Sequence, residues 1–152
     1  MTAAPDTPTR TFSDLDGALA VLREHGLRIS SARRLVLQSL FATDDPVSAE
    51  ALANRLTSAG LPLDLASVYR NLETLERTGI VRHVHLGHGP GLYTLAGGGE
   101  REYLVCDRCG RVEAVEPARL DRAREAIRAD LGYQARFTHF PIVGLCAACA
   151  TS

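Results

Sequence analysis

The chain has 152 residues, enough for one ordinary domain or two small ones, and its 45% hydrophobic and 23% charged content is that of a globular protein. No stretch is long and apolar enough to span a membrane, and the first residues lack the basic-then-apolar order of a signal peptide, so a cytoplasmic protein is expected. The formal net charge of -1 argues against a surface coated in positive charge, yet all 17 basic residues are arginine, and Arg23, Arg28, Arg33 and Arg34 crowd together with only Glu24 against them.

Residues 1–12 read as a disordered tail. From 14 to 25, Leu15, Ala18, Leu19 and Leu22 recur at helical spacing and predict an amphipathic helix ending at Gly26. Ser30 or Ser31 can cap a second helix with a buried stripe of Leu35, Val36, Leu40 and Phe41. A third helix starts at Ser48, buries Ala49, Leu52, Ala53 and Leu56, and stops by Gly60 and Pro62. A fourth begins at an Asp64 cap, lines up Leu65, Val68, Leu72 and Leu75, and ends before Gly79. Ile80 to Leu86, the turn "GHGPG" and "LYTL" then predict a hairpin.

Short helices followed by a hairpin predict a winged helix-turn-helix over 13–95, in which the helix before the wing enters the DNA major groove. Its buried stripe leaves Ser67, Tyr69, Arg70 and Asn71 on or near the outward face. Arginine and asparagine are the types that pair bidentately with guanine and adenine edges, and tyrosine packs on a thymine methyl. The arginine cluster at 28–34 would supply the phosphate contacts. The bland alternative is that Arg70 pairs with Glu73 or Glu76 on its own helix.

"AGGGE" breaks the periodicity and places a hinge at 96–100. Over 101–152, "REYLV" and "RVEAV" predict strands, Pro117 starts a helix whose Leu120, Ala123, Ile127 and Leu131 face a core, and "YQARFTHFPIVGL" supplies one or two more strands. The expected product is a small α/β domain with an antiparallel sheet beside one helix, making the whole chain α+β.

All four cysteines lie here, as "CDRC" and "CAAC": Cys106, Cys109, Cys146 and Cys149. Each C-x-x-C brings two thiolates to one ion, and two such knuckles complete a closed tetrahedral sulfur cage of the kind that holds structural zinc. The 36 residues between the pairs exceed a compact zinc ribbon and fit an ion that ties the first strand of the domain to its last residues. A rubredoxin-like iron, an electron carrier, is the rival from another class and would colour the protein red. An enzyme is not expected, since "GHGPG" sits in a hairpin, "AGGG" leads into no helix, no Ser-His-Asp set is present and no small organic substrate is implied.

These motifs carry a resemblance. "GLRISSARRLVL", "VSAEAL", "LASVYRNLETLERTGIV" with "SVYRNL" at its centre, "YLVCDRCGRV" and "GLCAAC" resemble the ferric uptake regulator family of metal-responsive bacterial repressors, from "GLRISSARR" to "CAAC". The resemblance implies a homodimer joined through the C-terminal sheet, on a palindromic double-stranded operator. It implies that Tyr69 and Arg70 touch DNA, that Arg28 and Arg33 reach the minor groove or backbone, and that the four cysteines hold structural zinc. The chain also departs from the family: Glu100, Arg101, Glu102 and Tyr103 stand where many members carry a histidine-rich run, Pro46 replaces a ligand histidine, and Thr94 a carboxylate. Glu100, Glu102, Asp121 and His139 stand at positions where the family commonly places ligands.

The segment "VRHVHLGHGPGLY" holds His83, His85 and His88, three of the five histidines in the chain. In a strand alternate residues share a face, so His83 and His85 point one way while Val84 and Leu86 turn inward. The stretch is similar to a nickel-responsive branch of the family. A second, regulatory ion is therefore expected on His83, His85, His139 and Glu102, bridging wing and dimerisation domain, with zinc first and nickel next. His88, at the turn, is more readily a solvent or phosphate contact than a metal ligand, and Glu100 and Asp121 are left without an assigned role. The expected function is a metal-dependent repressor controlling metal homeostasis. The alternatives are a DNA-binding regulator with structural zinc only, or a peroxide- or iron-responsive member.

Overall fold

The computed structural model describes residues 12–86, 89–97, 100–137 and 140–152. The expected tail therefore lies outside the described residues except for Phe12, and so do His88 and His139. The chain divides into two compact units, the first running to His83 and resuming at Gly91, the second comprising Val84–Pro90 and Glu100–Ser152.

The first unit is built on α1 (Leu15–Glu24), α2 (Ser31–Phe41), α3 (Ala49–Ser58) and α4 (Leu65–Arg77), followed by a hairpin of β1 (Val81–Val84) and β2 (Leu92–Leu95). Each helix starts where a short polar side chain meets an orphan amide. Asp14 accepts from Gly17 N, Ser30 from Arg33 N, Ser48 from Ala51 N and Asp64 from Ser67 N. Four such caps, each stabilising by about 1 kcal/mol, explain why the helices begin where the sequence places them. α4 stops at Gly79, whose φ of 76° is costly for any residue with a Cβ.

The helices bury Leu19, Leu22, Val36, Leu37, Leu40, Leu52, Val68, Leu72 and Leu75 in one core. On α2 the expected stripe is rotated: Leu37 is buried, whereas Leu35 and Phe41 are only half-buried. Leu65, expected inside, is 40% exposed because it opens the first turn of α4, ahead of the turns that pack. Phe12, expected in the tail, is buried with its ring 6.1 Å from that of Phe41. A feature without a sequence signal fastens the hairpin: Val47 and Tyr93 exchange two backbone hydrogen bonds of 3.0 and 2.8 Å, an isolated antiparallel bridge that ties β2 to the residues in front of α3.

The second unit contains β3 (Glu102–Cys106), β4 (Val112–Val115), a 3-10 turn over Pro117–Leu120, α5 (Asp121–Leu131), β5 (Ile142–Gly144) and the short α6 (Ala147–Ala150). The sheet order is β4-β3-β5, with β3 antiparallel to β4 but parallel to β5. The expected all-antiparallel sheet is thus corrected. A return through α5 brings the chain back to the starting edge of the sheet, as a parallel pair requires. The expectation that Leu120, Ala123, Ile127 and Leu131 face a core is also corrected within this single chain. α5 buries none of its residues, and Leu131, Tyr133 and Phe140 are each more than two-thirds exposed.

Leu72 is fully buried in α4, against α2 and α3. Leu72→Ala is expected to destabilise the first unit by about 2–5 kcal/mol, read as a fall in the midpoint of urea unfolding.

Candidate metal centre and nucleic-acid interface

The parallel pairing of β3 and β5 sets the metal centre. In that register Cys106, the last residue of β3, lies opposite Gly144, and Asp107 N donates to Gly144 O at 2.8 Å. Cys146 follows two residues later. Beyond Cys106 the chain turns back through Gly110, at a φ of 74°, with Gly110 N on Cys106 O and Cys106 N on Arg111 O, both at 2.9 Å. Cys146 immediately precedes α6 at its N-cap position, and Cys149 N returns to Cys146 O at 3.0 Å.

These two turns place all four sulfurs within 4.8 Å of one another, with Cys109 Sγ 3.8 Å from Cys146 Sγ. Tetrahedral zinc with sulfur at about 2.3 Å requires sulfurs about 3.8 Å apart, so the cage has the size such an ion needs. The amides of Cys146 and Cys109, directed at the Cys106 sulfur, hold its thiol down to about 6. Cys149 is pushed up to about 12, first by its hydrogen bond with Cys146 and then by burial. Without a cation the four sulfurs cannot all be thiolates; a bound dication removes that conflict. A residue the sequence does not flag completes the closure. Arg108, inside the first C-x-x-C, donates through Nη1 to Cys149 O at 2.7 Å and to Ser152 Oγ at 3.2 Å, joining the first knuckle to the last residues.

The residues expected to hold a second ion are less uniform. β1 ends at Val84, so His85 lies past the strand and the shared-face argument applies to β1 only as far as His83. Both side chains are exposed, and Val84 and Leu86 are half-buried. The His83 ring lies flat on that of Tyr93, with centroids 4.6 Å apart and planes 2° from parallel. It also fills the space a side chain at Gly91 would need. Glu102 is 1% exposed, and its Oε1 is ion-paired with Arg124 Nη2, so the expected ligand carboxylate already faces a cation in this structure. Arg124 also binds Asp121 Oδ1 at 2.9 Å; Asp121 and Glu100 are otherwise exposed surface carboxylates. In sequence, Arg124 announces only its i, i+3 relation to Asp121; its partner 22 residues away leaves no local pattern.

On α4, Asp64 caps Ser67 N and also accepts from Ser67 Oγ, while Arg70 Nη2 donates to Ser67 Oγ at 2.9 Å. Arg70 is exposed, and Ser67 and Tyr69 are half-buried. Tyr69 donates its hydroxyl to Glu50 Oε1 at 2.8 Å, which links α4 to α3 and holds the Glu50 carboxyl below its ordinary range, after the backbone contribution at Glu50 itself. Asn71 is a correction. It is only 9% exposed and its Nδ2 donates to Ser67 O. At 3.6 residues per turn, position 71 falls between Val68, Leu72 and Leu75, on the inward face. Arg28 is exposed, whereas Arg33 is half-buried with Nη1 on Arg28 O, so part of its donor set is spent on the turn before α2.

Comparison with known proteins gives one consistent picture. The model of the family described as "Ferric uptake regulator family" matches residues 24–140. The ferric uptake regulation protein of Legionella pneumophila is 32% identical over 129 residues, covering 84% of this chain and 95% of its own. The structure of the ferric uptake regulator from Pseudomonas aeruginosa with manganese is 27% identical, with a TM-score of 0.67 over 86% of this chain and 98% of that one. The Helicobacter pylori ferric uptake regulator, whose structure is described as revealing three functional metal binding sites, shares the fold at a TM-score of 0.71 with 19% identity. The match covers 95% of this chain and 99% of that one.

The four-sulfur geometry predicts that the native chain retains one zinc through dialysis and that Cys106→Ser or Cys149→Ser loses it. Such an ion contributes about 10–16 kcal/mol in small zinc domains, so the second unit should lose its ordered amide signals while those of α1–α4 persist. The check is elemental analysis paired with amide NMR.

Proposed function

The chain belongs to the ferric uptake regulator family, and from that premise we propose that it is a metal-dependent transcriptional repressor acting on metal-homeostasis genes in response to zinc or nickel. Members of the family are DNA-binding regulators of transcription and not enzymes. Among the described residues no helix is long and apolar enough to cross a membrane, in keeping with a cytoplasmic regulator.

The observation that carries the proposal is the polar face of α4. Asp64 fixes its first turn, Ser67 holds the Arg70 guanidinium at the surface, and Tyr69 lies beside it. Arg70 and Tyr69 would read bases, Ser67 would orient Arg70, and Arg28 with Arg33 would meet phosphates. Such discrete contacts suit a protein whose net charge is -1, because affinity comes from a few placed guanidinium groups and not from a global field. We take Asn71 out of the base-reading set, since its amide is spent inside the helix.

A homodimer is part of this reading. The second unit leaves Leu131, Tyr133, Phe140, Val143 and Leu145 between 49% and 72% exposed, an apolar surface that a two-fold partner would bury. Two recognition helices related by that axis require a palindromic operator. Zinc is proposed for the four cysteines, for their chemistry and spacing. The regulatory ion is proposed to be held by the imidazoles of His83, His85 and His139. Nitrogen donors favour zinc or nickel over manganese, and occupancy would select the DNA-competent form. A second reading, a DNA-binding regulator with a structural ion only, draws on the Glu102–Arg124 ion pair, in which the expected carboxylate ligand is engaged by a guanidinium.

Selection from a random DNA pool by the zinc- or nickel-loaded protein should return an inverted repeat. Arg70→Ala should weaken binding to it by about 1–3 kcal/mol and relax the preference at one position per half-site, while Arg28→Ala weakens all sequences alike. Equal affinity of native and Arg70→Ala protein for the selected site would remove α4 as the reader. Retention of binding in His83→Ala/His85→Ala at every metal concentration would favour the structural-ion reading.

A further inference from the structure

A carboxylate removed from water must have its charge met, or it is protonated or unfolds its surroundings. Glu102 opens β3 at 1% exposure, and its two oxygens are treated differently. Oε1 takes the Arg124 guanidinium, whereas Oε2 is buried with no hydrogen-bond partner among the described residues. The guanidinium is itself surrounded. Nη1 donates to Pro117 O at 2.8 Å and to Asp121 Oδ1 at 2.9 Å, Nη2 reaches Glu102 Oε1, and the charged carbon lies 5.4 Å from the centre of the Phe137 ring.

Two carboxylates and one backbone carbonyl thus converge on a single positive centre. Those are the donors that a hard divalent cation collects. Here the positive centre is covalent, fixed to α5, and cannot be deprotonated within the range a protein survives. We infer that the Arg124 guanidinium stands in for a metal ion among the oxygens of Glu102, Asp121 and Pro117. The native chain then takes no second ion at Glu102, and removal of the arginine opens a site for a hard divalent cation. The unpartnered Glu102 Oε2 is the ligand atom such a cation gains beyond those Arg124 already engages. The inference is independent of DNA reading and of which imidazoles take the regulatory ion.

The test counts ions per full-length chain after equilibrium dialysis, first against zinc and then against manganese, which favours oxygen donors. In the native background Glu102→Gln should leave the number of bound ions unchanged. One ion fewer per chain would overturn the inference, since Glu102 would then be a ligand. Arg124→Met should bind one manganese per chain beyond the native protein, with a melting temperature that rises with manganese, and both gains should vanish in Glu102→Gln/Arg124→Met. A folded Arg124→Met without the extra manganese would overturn it. Should Arg124→Met unfold alone, folding restored by manganese supports the inference, and folding restored only by adding Glu102→Gln overturns it.

Discussion

The parallel pairing of β3 with β5 is the constraint on which the metal centre depends. Antiparallel neighbours joined by a hairpin would place the end of one strand beside the start of the next, and the two cysteine pairs would lie apart. Because β3 and β5 run the same way, both end at one edge of the sheet, where Cys106 faces Gly144 and Cys146 follows. The crossover through α5 that permits this direction occupies most of the 36 residues between the pairs. Four sulfurs then meet from turns 40 residues apart, in a cluster that could hold an ion and so close a sheet of three short strands whose own core is thin.

Electrostatics in the second unit follows the same economy of short reach. A unit that buries so little apolar surface cannot leave a buried carboxylate unmatched, and Glu102 is matched by Arg124 from the helix that the crossover supplies. Arg108 does comparable work at the far end, where its guanidinium on Cys149 O joins the two knuckles without an ion. The most exposed of the large apolar side chains, Tyr133, Leu131 and Phe140, belong to this same unit, whereas the first unit has a full core of its own.

Much of the first unit was legible because its signals are local. A capping side chain, an apolar stripe at 3.6-residue spacing and a terminating glycine all lie within one helix; α4 begins one residue after the expected cap Asp64, and of the two candidates for α2 it is Ser30 that caps. What such local signals do not carry is angle and reach. The stripe of Leu65, Val68, Leu72 and Leu75 would leave Asn71 on or near the outward face, yet its position between Val68 and Leu72 turns it in. The Val47–Tyr93 bridge, the parallel direction of β5 and the Glu102–Arg124 pair all join residues far apart in sequence, and no short pattern encodes such meetings. The cysteines were the exception, because a metal cage prescribes its ligands' spacing however distant the two halves.

The account rests on the claim that one ion closes the second unit through four sulfurs. X-ray absorption at the zinc edge of His83→Ala/His85→Ala protein loaded with a single zinc per chain, so that only the tight site is occupied, tests this directly. The account predicts a first coordination shell of four sulfurs at about 2.3 Å with no nitrogen or oxygen. A shell containing imidazole nitrogen or water oxygen, or fewer than four sulfurs, would contradict it.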